Sequence, residues 1–130
     1  MCECSVPCVH SKGFWKNSDL PAEMEDELFC NVTCETILEA SGNAANNLYG
    51  RDWLKVAQPY CALLADKALS MCDIVPPTLC EDSFDQATAI LTNPALCGTQ
   101  TNKSFTTLAS TLEKCTTGGF TASGGAPKCK

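Results

Sequence analysis

The chain has 130 residues with eleven cysteines and a net charge of −6, and its aromatic stock is only five Phe, two Trp and two Tyr. That length supports one domain, 1–130, with a thin apolar core, so cross-links must contribute much of its stability. Sparse, scattered Lys and Arg exclude nucleic acid as a partner, because no basic stripe can neutralise phosphates, and no apolar run is long enough to span a membrane.

Residues 1–17 hold Cys2, Cys4, Cys8 and Pro7 without a helical period, which predicts a stapled N-terminal loop. No secretory apolar region precedes Cys2, so Met1 reads as the start of a mature form or of an excised domain. The run Cys2-x-Cys4-x3-Cys8-x-His10 has the ligand types of a Cys3His metal site. Zinc ligands usually come in pairs two to four residues apart with a second pair following, which is not found here, so no metal and no cofactor are expected.

A first helix is predicted over 20–41, with Ser18 and Asp19 supplying caps, Pro21 in the first turn and Gly42 ending it. Its acids Glu23, Glu25, Asp26, Glu27 and Glu35 read as a solvated face. Cys30 and Cys34 would share one side of that helix with Cβ atoms about 6 Å apart, too far for a mutual bridge, so each should reach a different segment. Asn43–Gly50 reads as a polar loop. Trp53, Ala57, Tyr60, Cys61, Leu64, Ala68, Met71 and Cys72 then recur at steps of three and four and predict a central helix over 52–72, kinked or restarted at Pro59.

After Pro76-Pro77, a third helix is expected over 83–92, opened by a capping box of Ser83 and Gln86, with Phe84, Ala87 and Leu91 inward. A fourth, about 104–115, carries Phe105, Leu108, Ala109, Leu112 and Cys115 on one stripe. Residues 116–130 form a Gly-rich tail that Cys129 ties back. The fold class is all-α: a small disulfide-rich bundle of about four helices with long stapled loops.

Eleven cysteines, Cys2, Cys4, Cys8, Cys30, Cys34, Cys61, Cys72, Cys80, Cys97, Cys115 and Cys129, approach the density of a disulfide scaffold and predict a secreted or surface location. At least four intrachain bridges are expected; their pairing is open, and the odd count leaves one cysteine over. Asn31-Val32-Thr33 and Asn102-Lys103-Ser104 are N-x-S/T sequons, so Asn31 and Asn102 are candidate glycosylation sites.

Cys8-Val9-His10-Ser11-Lys12-Gly13-Phe14-Trp15-Lys16-Asn17 resembles the C-x-x-(S/T)-x-G-(F/Y)-W-K-(N/T)-H signature of a cysteine-rich module found in algal, bacterial and large-virus surface or secreted proteins. Trp53–Ser70 is similar to that family's central Leu/Ala-rich helix, and Leu108–Cys129 to its closing segment. Gly13, Phe14, Trp15, Lys16 and Asn17 carry the specific part of the likeness. Ser18 stands where the family usually has His, and Cys115-Thr116 replace a usual Tyr-Asn. The resemblance implies secretion and a structural or adhesive role.

Trp15 with Phe14 could offer a sugar-stacking platform, but two Trp in a small domain are better used in packing, so Trp15 is predicted to be buried. His10 is the sole histidine, no G-x-S-x-G motif occurs, and the helix acids share one neighbourhood rather than flanking a cleft, so no catalytic residues are expected. The expected function is a non-enzymatic extracellular structural or interaction module of a cell-surface, matrix, appendage or virion assembly. Its expected partners are copies of itself or a neighbouring surface protein, with a glycan as a further candidate. The alternative is a secreted carrier or recognition domain with a closed apolar pocket lined by Leu64, Leu91 and Leu108.

Overall fold

A computed structural model describes residues 10, 12–17, 20, 24, 27–70 and 78–117, and the side chains of all these except 67, 69, 70, 78 and 79. Cys2, Cys4, Cys8, Cys72, Cys129 and the tail beyond Thr117 lie outside them, as do Glu23, Glu25 and Asp26. Among the described residues the elements run α1 (Lys12–Lys16), β1 (Leu28–Phe29), β2 (Val32–Thr33), α2 (Cys34–Glu39), α3 (Gly42–Tyr49), α4 (Arg51–Ser70), α5 (Thr78–Leu91), a 3-10 turn (Pro94–Leu96) and α6 (Lys103–Thr117). The protein is a small all-α, disulfide-rich bundle in which α4 packs against α1, α2, α3, α5 and α6.

The helix expected over 20–41 is replaced, over its described part, by a hairpin and a short helix. β1 and β2 pair antiparallel, Phe29 opposite Val32, around Cys30 and Asn31. Both turn residues have positive φ, 55° and 65°, the left-handed geometry that a two-residue hairpin turn demands and that no helix tolerates. Thr33 then starts α2, its side chain accepting the Thr36 N–H at 3.3 Å. Lys12–Lys16, expected as loop, forms one helical turn, closed where the Asn17 side chain donates to the Gly13 carbonyl at 3.1 Å.

Asn43–Gly50, also expected as loop, is mostly α3. Its two alanines favour helix, and Gly50 ends it with φ 98° while donating its N–H to the Asn46 carbonyl. α4 begins at once and passes through Pro59 without interruption. Its buried surface is wider than one stripe: Leu54, Val56, Ala62, Leu63 and Ala65 are buried along with Trp53, Ala57, Tyr60 and Cys61, whereas Leu64 and Ala68 are half-buried. α5 starts five residues earlier than expected, so Ser83 is a buried interior residue rather than a cap. α6 buries the stripe read from the sequence and extends two residues into the expected tail.

Among the described residues three disulfides hold these parts together: Cys30–Cys97 from the hairpin turn to the end of the 3-10 turn, Cys34–Cys61 from α2 to α4, and Cys80–Cys115 from α5 to α6. Cys30 and Cys34 do reach different segments. The reason differs from the expected one, because Cys30 lies in a turn and not on a helix.

Residues 98–102 cross the start of α4 and satisfy two of its first-turn donors. The Arg51 N–H donates to the Gln100 side chain at 3.2 Å and the Trp53 N–H to the Thr99 carbonyl at 3.1 Å. This crossing sets a tight limit at Gly50, where an added Cβ would stand 2.5 Å from the Gly98 carbonyl carbon and 2.7 Å from the Thr99 oxygen. Gly50→Ala should therefore lower stability by about 3 kcal/mol, strain and overlap together. Gly42→Ala, also at positive φ but facing open space, should cost only about 1 kcal/mol. Urea midpoints of the two variants test this, and equal losses would refute the crowding.

Candidate functional site

The segment around Gly13–Asn17 and the central helix meet at Asp66. Trp15 points inward from α1 and is 4% exposed; its indole N–H donates to Asp66 Oδ1 at 3.1 Å. The His10 backbone N–H donates to the same oxygen at 2.8 Å. Asp66 is 2% exposed, and its other oxygen, Oδ2, has no hydrogen-bond partner among the described residues. Burial pushes its carboxyl up to about 7, only partly opposed by the two donors.

Around this joint the motif divides. The His10 ring stacks on Phe14, centroids 3.8 Å apart, and Trp15 meets both rings edge-on. Burial lowers the His10 pKa, favouring the neutral ring. Phe14 is 42% exposed, and Gly13, Lys16 and Asn17 are exposed, so Trp15 alone serves the core. Lys12 forms an ion pair of 2.6 Å with Glu113 of α6 at the surface. An open groove lined by Lys12, Gly13, Ser110, Glu113 and Thr117 runs beside it.

A second open groove lies between α2 and α3, where Ala44, Ala45 and Tyr49 flank Leu48, which is 71% exposed. Neither groove includes Leu64, Leu91 or Leu108; Leu91 and Leu108 are packed in the core. Glu27, just ahead of β1, and Glu35, in the first turn of α2, are exposed, but the hairpin between them means they do not share one helix face.

The two sequons differ in setting. Asn31 is exposed at the hairpin turn. Asn102 is half-buried and caps α6: its side-chain oxygen accepts the Ser104 N–H at 2.9 Å, and its own N–H donates to Asp52 Oδ2 at 2.6 Å. Asp52 and Asp66 are the site residues that sequence reading missed. Each is an acid inside a helix whose other residues are largely buried, and a fully buried Asp is rare unless paired, so their position was the available signal. Among the described residues no group of three or more His, Cys, Asp or Glu could hold a metal. The cysteines of the Cys3His reading lie outside the described residues.

No family model matches the chain, and no curated protein or solved structure matches it. The site therefore rests on its own geometry: a single-turn helix fastened to a bundle by one indole and one carboxyl. Trp15→Ala should lower stability by about 3–5 kcal/mol, as for other large core truncations. Trp15→Phe, which keeps a ring but removes the donor, should cost about 1–3 kcal/mol. Chemical denaturation checks both, and unchanged stability for Trp15→Ala would show that the anchor carries no load.

Proposed function

We propose that the protein is a non-enzymatic extracellular module with a structural or interaction role in a surface, matrix, appendage or virion assembly. The observation that carries this reading is that its cross-links join separate elements around a packed core. Three such bridges suit an oxidising compartment outside the cytosol. Each closes a loop of 27 to 67 residues, for which the chain-entropy model gives about 3–4 kcal/mol of stabilisation apiece.

The alternative, a carrier, needs an enclosed apolar pocket; the two grooves beside α1 and between α2 and α3 are open to solvent. Contact with copies of the chain or a neighbouring surface protein would run through exposed polar and aromatic groups at its ends, such as Phe14 and Lys16. The likeness of Gly13–Asn17 to a surface-protein module supports the same role. Asn31, exposed at a turn, is the sequon better placed to carry a glycan.

Native mass spectrometry of protein from its source tests the proposal. Oligomers, or a complex with another surface protein, are expected, with the Cys30–Cys97, Cys34–Cys61 and Cys80–Cys115 bridges recovered by peptide mapping without reduction. An unligated monomer at high concentration, from a source with no assembly containing it, would overturn the reading. A co-purifying lipid would favour the carrier.

A further inference from the structure

The described contacts that fasten the N-terminal segment to α4 through hydrogen bonds end on one carboxyl. Both the His10 N–H and the Trp15 indole N–H donate to Asp66 Oδ1, while Oδ2 faces a buried environment without a partner among the described residues. We propose that Asp66 is a proton-operated fastener, holding α1 firmly against α4 when its carboxyl is neutral and loosely when it is ionised.

The reason is the cost of a buried charge. Two donors on one oxygen do not replace the hydration that an ionised carboxylate loses on burial, whereas the neutral acid forfeits far less. The charged and titratable groups on the elements packed around α1 do not relieve it. Lys12 is engaged with Glu113, and Lys16, Glu35, Glu39 and Lys114 are exposed. The His10 imidazole stacks on Phe14 and gives Asp66 only its backbone N–H.

The sign follows from linkage. With α1 released, Asp66 is solvated and titrates near the ordinary 3.8; with α1 docked it titrates near 7. Docking is thus strongest below about pH 4, weakens as pH rises toward 7, and levels off above it. His10 opposes this trend, because its lowered pKa makes docking weaken as pH falls below 6.5. The effect of Asp66 is therefore isolated by comparing two proteins that both carry His10.

Asp66→Asn keeps Oδ1 as acceptor and cannot ionise. Hydrogen-exchange protection of residues 12–17, corrected for intrinsic rates, is measured in the wild type and in this variant. At pH 8 the variant should be at least tenfold better protected, and at pH 4 the two should agree within a few-fold. A measurement on the wild type alone guards against a variant that fails to fold. The Trp15 indole N–H resonance, assigned by its loss in Trp15→Phe, should shift with a midpoint near 7. Equal protection at pH 8, or an indole resonance that does not titrate between pH 5 and 9, would overturn the proposal. Neither readout depends on whether the chain assembles.

Discussion

Because α4 is buried around most of its circumference, and although its Trp53 indole N–H has no hydrogen-bond partner among the described residues, polar side chains on its covered faces find partners on other elements. Four of them do so in succession. Asp52 accepts the N–H of Asn102, the residue that caps α6. Gln58 donates to the carbonyls of Ile37 and Ala40, closing the open end of α2. The Tyr60 hydroxyl lies 3.0 Å from that of Thr88 on α5, and its ring stacks on Phe84. Asp66 takes both donors from the N-terminal segment. Each bond fixes where a neighbouring helix begins, ends or lies along α4, so the polar minority of this helix sets the register of the bundle.

The disulfides reinforce this scheme and extend it to the hairpin. The two-residue strands of the hairpin contribute little pairing of their own, and a hairpin this short is marginal in water. Cys30–Cys97 ties its turn to the end of the 3-10 turn, just ahead of the segment that crosses the start of α4. Cys34–Cys61 fastens the short α2 to the middle of α4, and Gln58, one turn earlier, caps the far end of the same helix. A disulfide, the two Gln58 hydrogen bonds and the burial of Ile37 and Leu38 thus hold a six-residue helix that would be unstable in isolation.

How much of this was legible in the sequence depended on element length. α6 shows its inner stripe plainly, because Phe105, Leu108, Ala109, Leu112 and Cys115 all bury and its other face is solvated. α4 was placed to within two residues at its start, yet its period suggested a single stripe because small residues such as Ala62 and Ala65 carry little periodic signal while packing on the remaining sides. The hairpin was hidden because two-residue strands cannot display alternation, and acidic flanks around it read as helix. Its decisive feature is a pair of left-handed residues, one of them a cysteine, whose conformation no propensity announces. At the site, Trp15 was legible as a buried aromatic, but its partner was not, since Asp66 lies 51 residues away and only the packing of α1 brings them together.

That pairing changes what the Gly13–Asn17 motif can offer a partner. An indole with its N–H committed to a buried carboxyl cannot also stack on an external ligand while α1 is docked. The outward groups are Phe14, Lys16 and Asn17, and Asn17 is already engaged with the Gly13 carbonyl. The docked segment therefore presents to solvent Phe14, backed by the His10 ring, and Lys16. Undocking would expose Trp15 as well, turning a small mixed patch into a larger aromatic one. The strength of the Asp66 contact thus sets the chemistry of the surface that this end of the molecule presents.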